Sequence, residues 1–117
     1  MSNIAQQGLV AGFQPVAGSG LSSLTPEQLE KASSMLRAIA HPVRIAILNL
    51  LDGGKKLTVT EIHEQLGLEQ STTSHHLGIL KDKGVLSAKR EGKNTYYFIR
   101  HENLLGIIEC ISKCACF

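Results

Sequence analysis

All three cysteines of the 117-residue chain lie within its last eight positions, at Cys110, Cys114 and Cys116. Cys110 and Cys114 are four residues apart, so on a helix their Cβ atoms lie about 5–6 Å apart on one face, where two thiolates can share a soft ion. Cys116 is rotated by roughly 200° from Cys114 on a helix, so it joins the pair only where the helix has ended. Three thiolates suit arsenite or cadmium, whereas zinc needs a fourth ligand, for which His101 is the candidate. We therefore predict a binding site for a thiophilic metal or metalloid near the C-terminus.

Other interpretations of these cysteines stay open. The thiols could respond to oxidation or to reactive sulfur, or Cys110 could be a small buried core residue while the other two have no role, because cysteine is often buried. A disulfide between Cys110 and Cys114 fits less well, since the Cβ directions of this pair are poorly aimed. An odd, clustered number of cysteines differs from the disulfide framework of a small secreted protein. With no signal peptide and no apolar run of membrane length, we expect a cytoplasmic protein that does not contact a membrane.

A second group of residues with useful chemistry is a polar run past the middle of the chain. It comprises Gln70, Ser71, Thr72, Thr73, Ser74 and His75. Glutamine can pair bidentately with adenine, and serine or threonine can reach base edges or phosphate oxygens. The same run could be only a polar helix start, since hydroxyl residues favour such positions for capping. The elements around the run decide between these interpretations.

The first half of the chain shows two helix signals. Thr25 can cap a first helix, with Pro26 at its first position and Gln28 completing a capping box. A second helix begins at about Pro42 and ends at the "DGG" of residues 52–54. Because this second helix is apolar nearly all round, we expect it to be central in an aliphatic core.

Two further helices follow closely on each other. Thr58 and Glu61 form a second capping box, which starts a short helix that Gly67 stops. A fourth helix is predicted over about residues 70–83. Its inward-facing residues are His76, Leu77 and Leu80.

After Gly84 the spacing of apolar residues changes from the period of a helix to the alternation of a strand. The runs "VLSAKR" and "TYYFIR" flank "EGKN", which predicts a β-hairpin with a glycine-containing turn. Two helices joined by a short turn and followed by a hairpin form a winged helix-turn-helix, whose second helix enters the major groove with its N-terminal residues, here 70–75, toward base edges. The predicted fold class is mainly α with a small β-hairpin (α+β).

Positive charge is concentrated in one part of the chain. Residues 81–100 hold six lysines or arginines and two acidic residues, a net charge of +4, whereas the remainder carries −2. A basic surface beside a near-neutral body suits contact with phosphates. Taken alone, the charge could equally form a solvated face without a partner.

Three segments carry a resemblance to a known family: "LRAIAHPVRIAILNLL", "TVTEIHEQLGLEQSTTSHHLGILKDKGVLSAKREGKNTYYFI" and the closing helix. Over about residues 25–113 the chain resembles the ArsR/SmtB family of small dimeric winged-helix repressors. The resemblance implies a homodimer that binds a double-stranded DNA operator. It also implies that Lys81 faces DNA with the polar run, that Arg90 and Lys93 of the wing lie near phosphates, and that His76 is structural.

The resemblance places the dimer interface on the first and last helices. The last helix, from about Glu102 to Cys114, also has an apolar face that is wide for the end of so small a domain, which indicates packing against another subunit. The predicted interface residues are Leu29, Met35, Leu36, Leu104, Leu105, Ile108 and Ile111.

The chain departs from both sensor patterns that the resemblance implies. Where arsenic-sensing members carry cysteines in the first helix of the motif, this chain has Thr58 and Thr60. At the places of the zinc ligands on the last helix it has His101, Asn103, Cys114 and Phe117. We expect DNA binding to require no cofactor, and we expect release from the operator when an inducer, arsenite or cadmium before zinc, binds the C-terminal cysteines.

We expect one domain at residues 24–117, preceded by a flexible, uncharged and glycine-rich tail at residues 1–23. An enzyme is not indicated, because the chain has no glycine-rich phosphate loop after a strand and no H-E-x-x-H motif. A winged-helix adaptor that does not bind DNA is the alternative from another class of protein. The basic segment argues against the adaptor.

Overall fold

The structure is a computed structural model that describes residues 24–115. The predicted N-terminal tail, Cys116 and Phe117 lie outside the described residues. The described residues divide into two compact units, residues 24–36 and residues 37–115, and this boundary falls within the first helix. The predicted domain boundary between residues 23 and 24 stays a prediction.

Helices account for most of residues 24–115, and capping explains where two of them begin. The helices are α1 Pro26–Ile39, α2 Pro42–Leu50, α3 Val59–Leu66, α4 Gln70–Asp82 and α5 Asn103–Cys114. Thr25 and Gln28 exchange hydrogen bonds of 2.8 and 3.1 Å before α1, and Thr58 and Glu61 exchange bonds of 2.9 and 3.2 Å before α3. These bonds satisfy N–H groups that have no partner within a helix. Gly67 ends α3 in the left-handed conformation, with φ of +69°, so both predicted capping boxes and this helix end are confirmed.

The predicted hairpin is part of a three-stranded antiparallel sheet. Its strands are β1 Leu57–Thr58, β2 Leu86–Glu91 and β3 Asn94–Ile99, in the order β1-β3-β2. Glu91 lies opposite Asn94, so the hairpin loop is Gly92-Lys93, and the positive φ of +63° at Gly92 suits glycine in this tight turn. The pairing of Leu57 with Tyr97, which joins β1 to the hairpin, was not predicted.

The core is aliphatic and lies in the unit that starts at Arg37. Its fully enclosed apolar side chains are Ile47, Leu48, Leu51, Ile62, Leu77, Leu80, Val85 and Leu86. Ile47 and Leu48 belong to α2, which confirms the prediction that this helix is central. The inward orientation of His76, Leu77 and Leu80 on α4 is also confirmed. Within residues 24–115, no helix combines the length and the apolar character that crossing a bilayer requires.

The structure corrects the prediction that Thr73 faces DNA. Thr73 has no exposed surface (0%), and its hydroxyl has no hydrogen-bond partner among the described residues. The physical reason is the helical period: residues three, four and seven positions apart share a face, so Thr73 lies on the side of α4 that buries His76, Leu77 and Leu80. A continuous polar run on a helix cannot point outward at every position.

Replacing Thr73 by valine should stabilise the protein by about 1 kcal/mol, because an unpaired buried hydroxyl costs about 1–3 kcal/mol and valine keeps the same shape. The measurement is urea unfolding at one protomer concentration, with the midpoint rising at unchanged slope. Thr72→Val is the matched control, since Thr72 is exposed and its hydroxyl is solvated. Equal effects of both substitutions would contradict the burial argument.

Candidate nucleic-acid interface

The outer face of α4 carries the other members of the predicted polar run. Gln70, Ser71, Thr72, Ser74 and His75 are all exposed. The N-cap of α4 is Glu69, whose side chain makes no capping hydrogen bond. The hydroxyl residues therefore lie inside the helix rather than at the capping position, so capping does not explain their accumulation. They form a row of small hydrogen-bonding groups of the kind that can approach base edges.

The turn between α3 and α4 is short and tied by its own contacts. The Leu68 N–H donates to the His63 carbonyl at 3.0 Å, and His63 Nδ1 lies 3.1 Å from the Leu68 carbonyl oxygen. α4 begins at Gln70, directly after this turn. The contacts fasten the turn to the end of α3, and the short turn places α4 directly after α3, which is the arrangement that a helix-turn-helix requires.

The hairpin presents exposed cations, as predicted for the wing. Lys93 is exposed at the tip, and the exposed Arg90 donates from Nε to the Gly92 carbonyl at 3.3 Å. Lys89 and Glu91 form a 3.8 Å ion pair with both side chains mostly exposed, so water and salt screen this pair strongly. Lys81 is exposed in the last turn of α4. These cations could each meet a phosphate group.

Two further lysines lie beside this sheet and were missed in the sequence. Lys55 and Lys56 directly precede β1, and both are exposed. The Lys56 ammonium lies 5.1 Å from the centre of the Phe98 ring on β3, within the range of a cation–π interaction. Only the pairing of β1 with β3 brings them there, so a charge count over residues 81–100 could not include them.

The inner face of α4 carries a buried histidine. His76 Nδ1 accepts a 3.1 Å hydrogen bond from Arg44 Nε on α2. Burial lowers the pKa of His76 below its usual 6.5, and the nearby His41, Arg44 and His75 lower it further. His76 was expected to be structural, and its hydrogen-bond partner is Arg44, which was not predicted.

The described cysteines lie on α5, away from the core. Cys110 and Cys114 are both exposed free thiols on one helix, so the interpretation of Cys110 as a buried core residue is wrong. The exposed His101 precedes the helix. Among residues 24–115, no group of three or more His, Cys, Asp or Glu side chains is placed to hold a metal ion. His101 of the same subunit therefore does not complete a site with this pair, and Cys116 lies outside the described residues.

The apolar residues of α5 are incompletely covered, and α5 contains no buried residue. Ile107 and Ile111 are 45% and 58% exposed, while Leu104, Leu105 and Ile108 are half-buried. Ile107 was not among the predicted interface residues. On α1, Leu36 is 48% exposed, and Leu29 and Met35 are half-buried.

Comparison with known proteins identifies the family. The family described as "Bacterial regulatory protein, arsR family" matches residues 41–88. An HTH-type transcriptional regulator of Methanocaldococcus jannaschii, MJ1325, is 36% identical over 74% of this chain and 98% of its own length. The transcriptional repressor PagR of Bacillus anthracis is 40% identical over 72% of this chain and 84% of its own.

Solved structures agree with these matches. The crystal structure of PagR matches with a TM-score of 0.66 at 40% identity, covering 73% of this chain and 97% of that one. A homodimeric winged helix-turn-helix DNA-binding domain of Mycobacterium bovis matches with a TM-score of 0.71 at 27% identity, covering 85% of this chain and 94% of that one. These neighbours confirm the predicted winged helix-turn-helix. The chain therefore belongs to the arsR family of bacterial regulatory proteins and is a DNA-binding transcriptional repressor, not an enzyme.

Proposed function

We propose that the protein binds its operator through the exposed face of α4 in the major groove, while the wing neutralises phosphates on either side. The observation that carries this proposal is the exposure of the polar row on α4, from Gln70 to His75 without Thr73, together with the exposure of Arg90 and Lys93 on the hairpin. Short polar side chains can reach base edges, and the cations supply affinity that does not depend on sequence. An adaptor would have no use for both features together.

The working form in this proposal is a homodimer built through α5 and α1. Its support is the exposure of Ile107 and Ile111 on α5 and of Leu36 on α1, together with the homodimer of the related M. bovis domain. Two recognition helices related by a two-fold axis reach successive major grooves, about 34 Å apart. The operator should accordingly be an imperfect palindrome.

The inducer site in this proposal is the C-terminal cysteines, with arsenite or cadmium as the preferred ligand. Cys110 and Cys114 supply exposed thiols on one helix, and Cys116 can supply a third. Binding there would favour a dimer geometry in which the recognition helices no longer fit the operator, and a coupling of about 1–3 kcal/mol is typical of such regulation.

Thiol oxidation or reactive sulfur is a second candidate signal. The exposure of both described thiols favours it, because susceptibility to oxidation follows thiol access. It also does not require the third and fourth ligands that a metal site needs.

Operator binding should separate the roles of the wing and of α4. Lys93→Ala or Arg90→Ala should weaken binding to every duplex and lower the salt slope by about one, whereas Gln70→Ala should cost about 1–3 kcal/mol mainly on the cognate operator. Fluorescence anisotropy with promoter and scrambled duplexes at several salt concentrations measures both effects. No binding to duplex DNA at any salt concentration would favour the adaptor instead.

A charge on the exposed apolar face of α5 should prevent dimer formation. Ile111→Glu would place a carboxylate where we expect another subunit, and burying an unpaired charge is costly. Sedimentation at micromolar concentration should show a monomer with weakened operator binding. Lys113→Glu is the matched control, since Lys113 is exposed roughly opposite on the helix and should leave the dimer intact. A dimer in both variants would place the interface elsewhere.

Replacing Cys110, Cys114 and Cys116 together by serine should leave operator binding intact and abolish release by arsenite or cadmium. The measurement is anisotropy of the preformed complex titrated with arsenite, cadmium, zinc or a thiol oxidant. Release of the wild type by oxidant alone would support the second candidate. His101→Ala tests whether His101 contributes to a response to zinc. A triple-serine variant that still responds normally to every agent would exclude the cysteines as the inducer site.

A further inference from the structure

Arg44 connects the recognition helix α4 with the end of α1. Its Nε donates to His76 Nδ1 at 3.1 Å, and its Nη1 donates to the Ala38 carbonyl at 3.0 Å. Ala38 lies in the last turn of α1, where carbonyls have no partner within the helix. One guanidinium on α2 therefore holds both the last turn of α1 and the inner face of α4.

This contact requires a neutral His76. Arginine can only donate hydrogen bonds, so Nδ1 of His76 must accept, and the ring carries its single proton on Nε2. The rings of His41 and His75 lie 4.6 and 5.6 Å from that of His76, centre to centre. His41 caps α2, accepting at its own Nδ1 from the Val43 N–H at 3.1 Å. Burial, followed by His41, Arg44 and His75, lowers the pKa of His76, and none of these described neighbours is acidic.

We propose that the Arg44–His76 hydrogen bond is the contact that positions the recognition helix, and that protonation of His76 breaks it and lowers operator affinity in acid. The proposal rests on the proposed function in that α4 is taken to contact DNA. Arg44 and His76 act through α4 and are positioning residues, since His76 is buried behind the exposed face.

The expected mechanism follows from the geometry of the pair. A proton on Nδ1 would place an N–H donor 3.1 Å from the Arg44 Nε–H donor, and it would add a second positive charge to the pair. The ring or the helix must then shift. His75 and Ser74 immediately precede His76, so a rotation of this turn displaces side chains of the exposed face. Only molecules with a neutral His76 hold α4 in the geometry that binds the operator. The apparent dissociation constant therefore rises in inverse proportion to the fraction of such molecules.

The direction of the pH effect follows from the lowered pKa. An unfolded chain takes up a proton on His76 at about pH 6.5, whereas the folded chain does so only at lower pH. Folding stability contributed by the neutral ring is complete above pH 6.5 and is lost as the pH falls toward the folded pKa. Operator affinity should fall as the pH approaches the folded pKa of His76, and it should be about tenfold lower one pH unit below that pKa. Protonation of the exposed His75 would act in the opposite direction, because it adds positive charge near phosphates.

The opposite effect of His75 sets the design of the experiment. Operator affinity is measured by fluorescence anisotropy from about pH 8 down to about one pH unit below the His76 titration midpoint, at constant ionic strength and in a His75→Asn background. That background should lose affinity as the pH falls. Adding His76→Asn should flatten the profile, because the asparagine oxygen can accept from Arg44 but does not titrate.

Two matched variants in the same background serve as controls. His41→Asn keeps an N-cap acceptor and removes the other titratable ring next to His76, and His101→Asn removes an exposed histidine outside this cluster. Both should retain the loss of affinity in acid. A profile flattened by His41→Asn would assign the proton to His41 and overturn the proposal.

Nuclear magnetic resonance of the His76 ring in the same His75→Asn background provides a measurement that does not depend on operator binding. Its titration midpoint should lie below pH 6.5 and coincide with the loss of affinity. A His76→Asn profile that still falls in acid, or a midpoint that does not coincide, would overturn the proposal. No operator binding by the wild-type protein at pH 8 would instead count against the proposed function, so the two failures are distinguishable.

Discussion

The packing of α4 against the aliphatic core is the interaction on which the rest of the structure depends. One side of this 13-residue helix buries Thr73, His76, Leu77 and Leu80, and each fully enclosed leucine contributes about 1.5–3 kcal/mol. That exceeds what one exposed polar contact can contribute in water. The core therefore sets the rotation of the helix, and the outward direction of Ser71, Ser74 and His75 follows from it.

The position of the wing relative to α4 follows from the same core. Val85 and Leu86 come directly after the end of α4, and both are buried. The Val85 N–H donates to the Leu80 carbonyl at 2.9 Å, and the Arg100 N–H donates to the Val85 carbonyl at 3.1 Å. The connection is too short and too buried to swing freely, so the helix and the basic hairpin can act as one surface toward DNA. Because the cations of the hairpin are exposed, this fixed arrangement is enough for their long-range electrostatic attraction to DNA.

The helix α5 has the opposite character, since none of its residues is buried. An apolar helix left open in this way is explained if a second subunit covers it, which is the proposed dimer. Cys110 and Cys114 lie on the same helix. An inducer that binds these cysteines would act directly on α5, the helix that would set the spacing between two recognition helices. No conformational change would have to be transmitted through the core.

The sequence by itself determined the order of the five helices and the hairpin, and the class of function. Capping boxes at Thr25 and Thr58, the change of period after Gly84 and the polar run after Gly67 are local signals, and each is read within a few residues of chain. Tertiary structure alone decided three other features: the burial of Thr73, the pairing of Leu57 with Tyr97, and the hydrogen bond between Arg44 and His76. The partners of those two contacts are 40 and 32 residues apart in the chain. Contacts at such separation leave no periodic signal, because they depend on how helices and strands pack and not on the preferences of neighbouring residues.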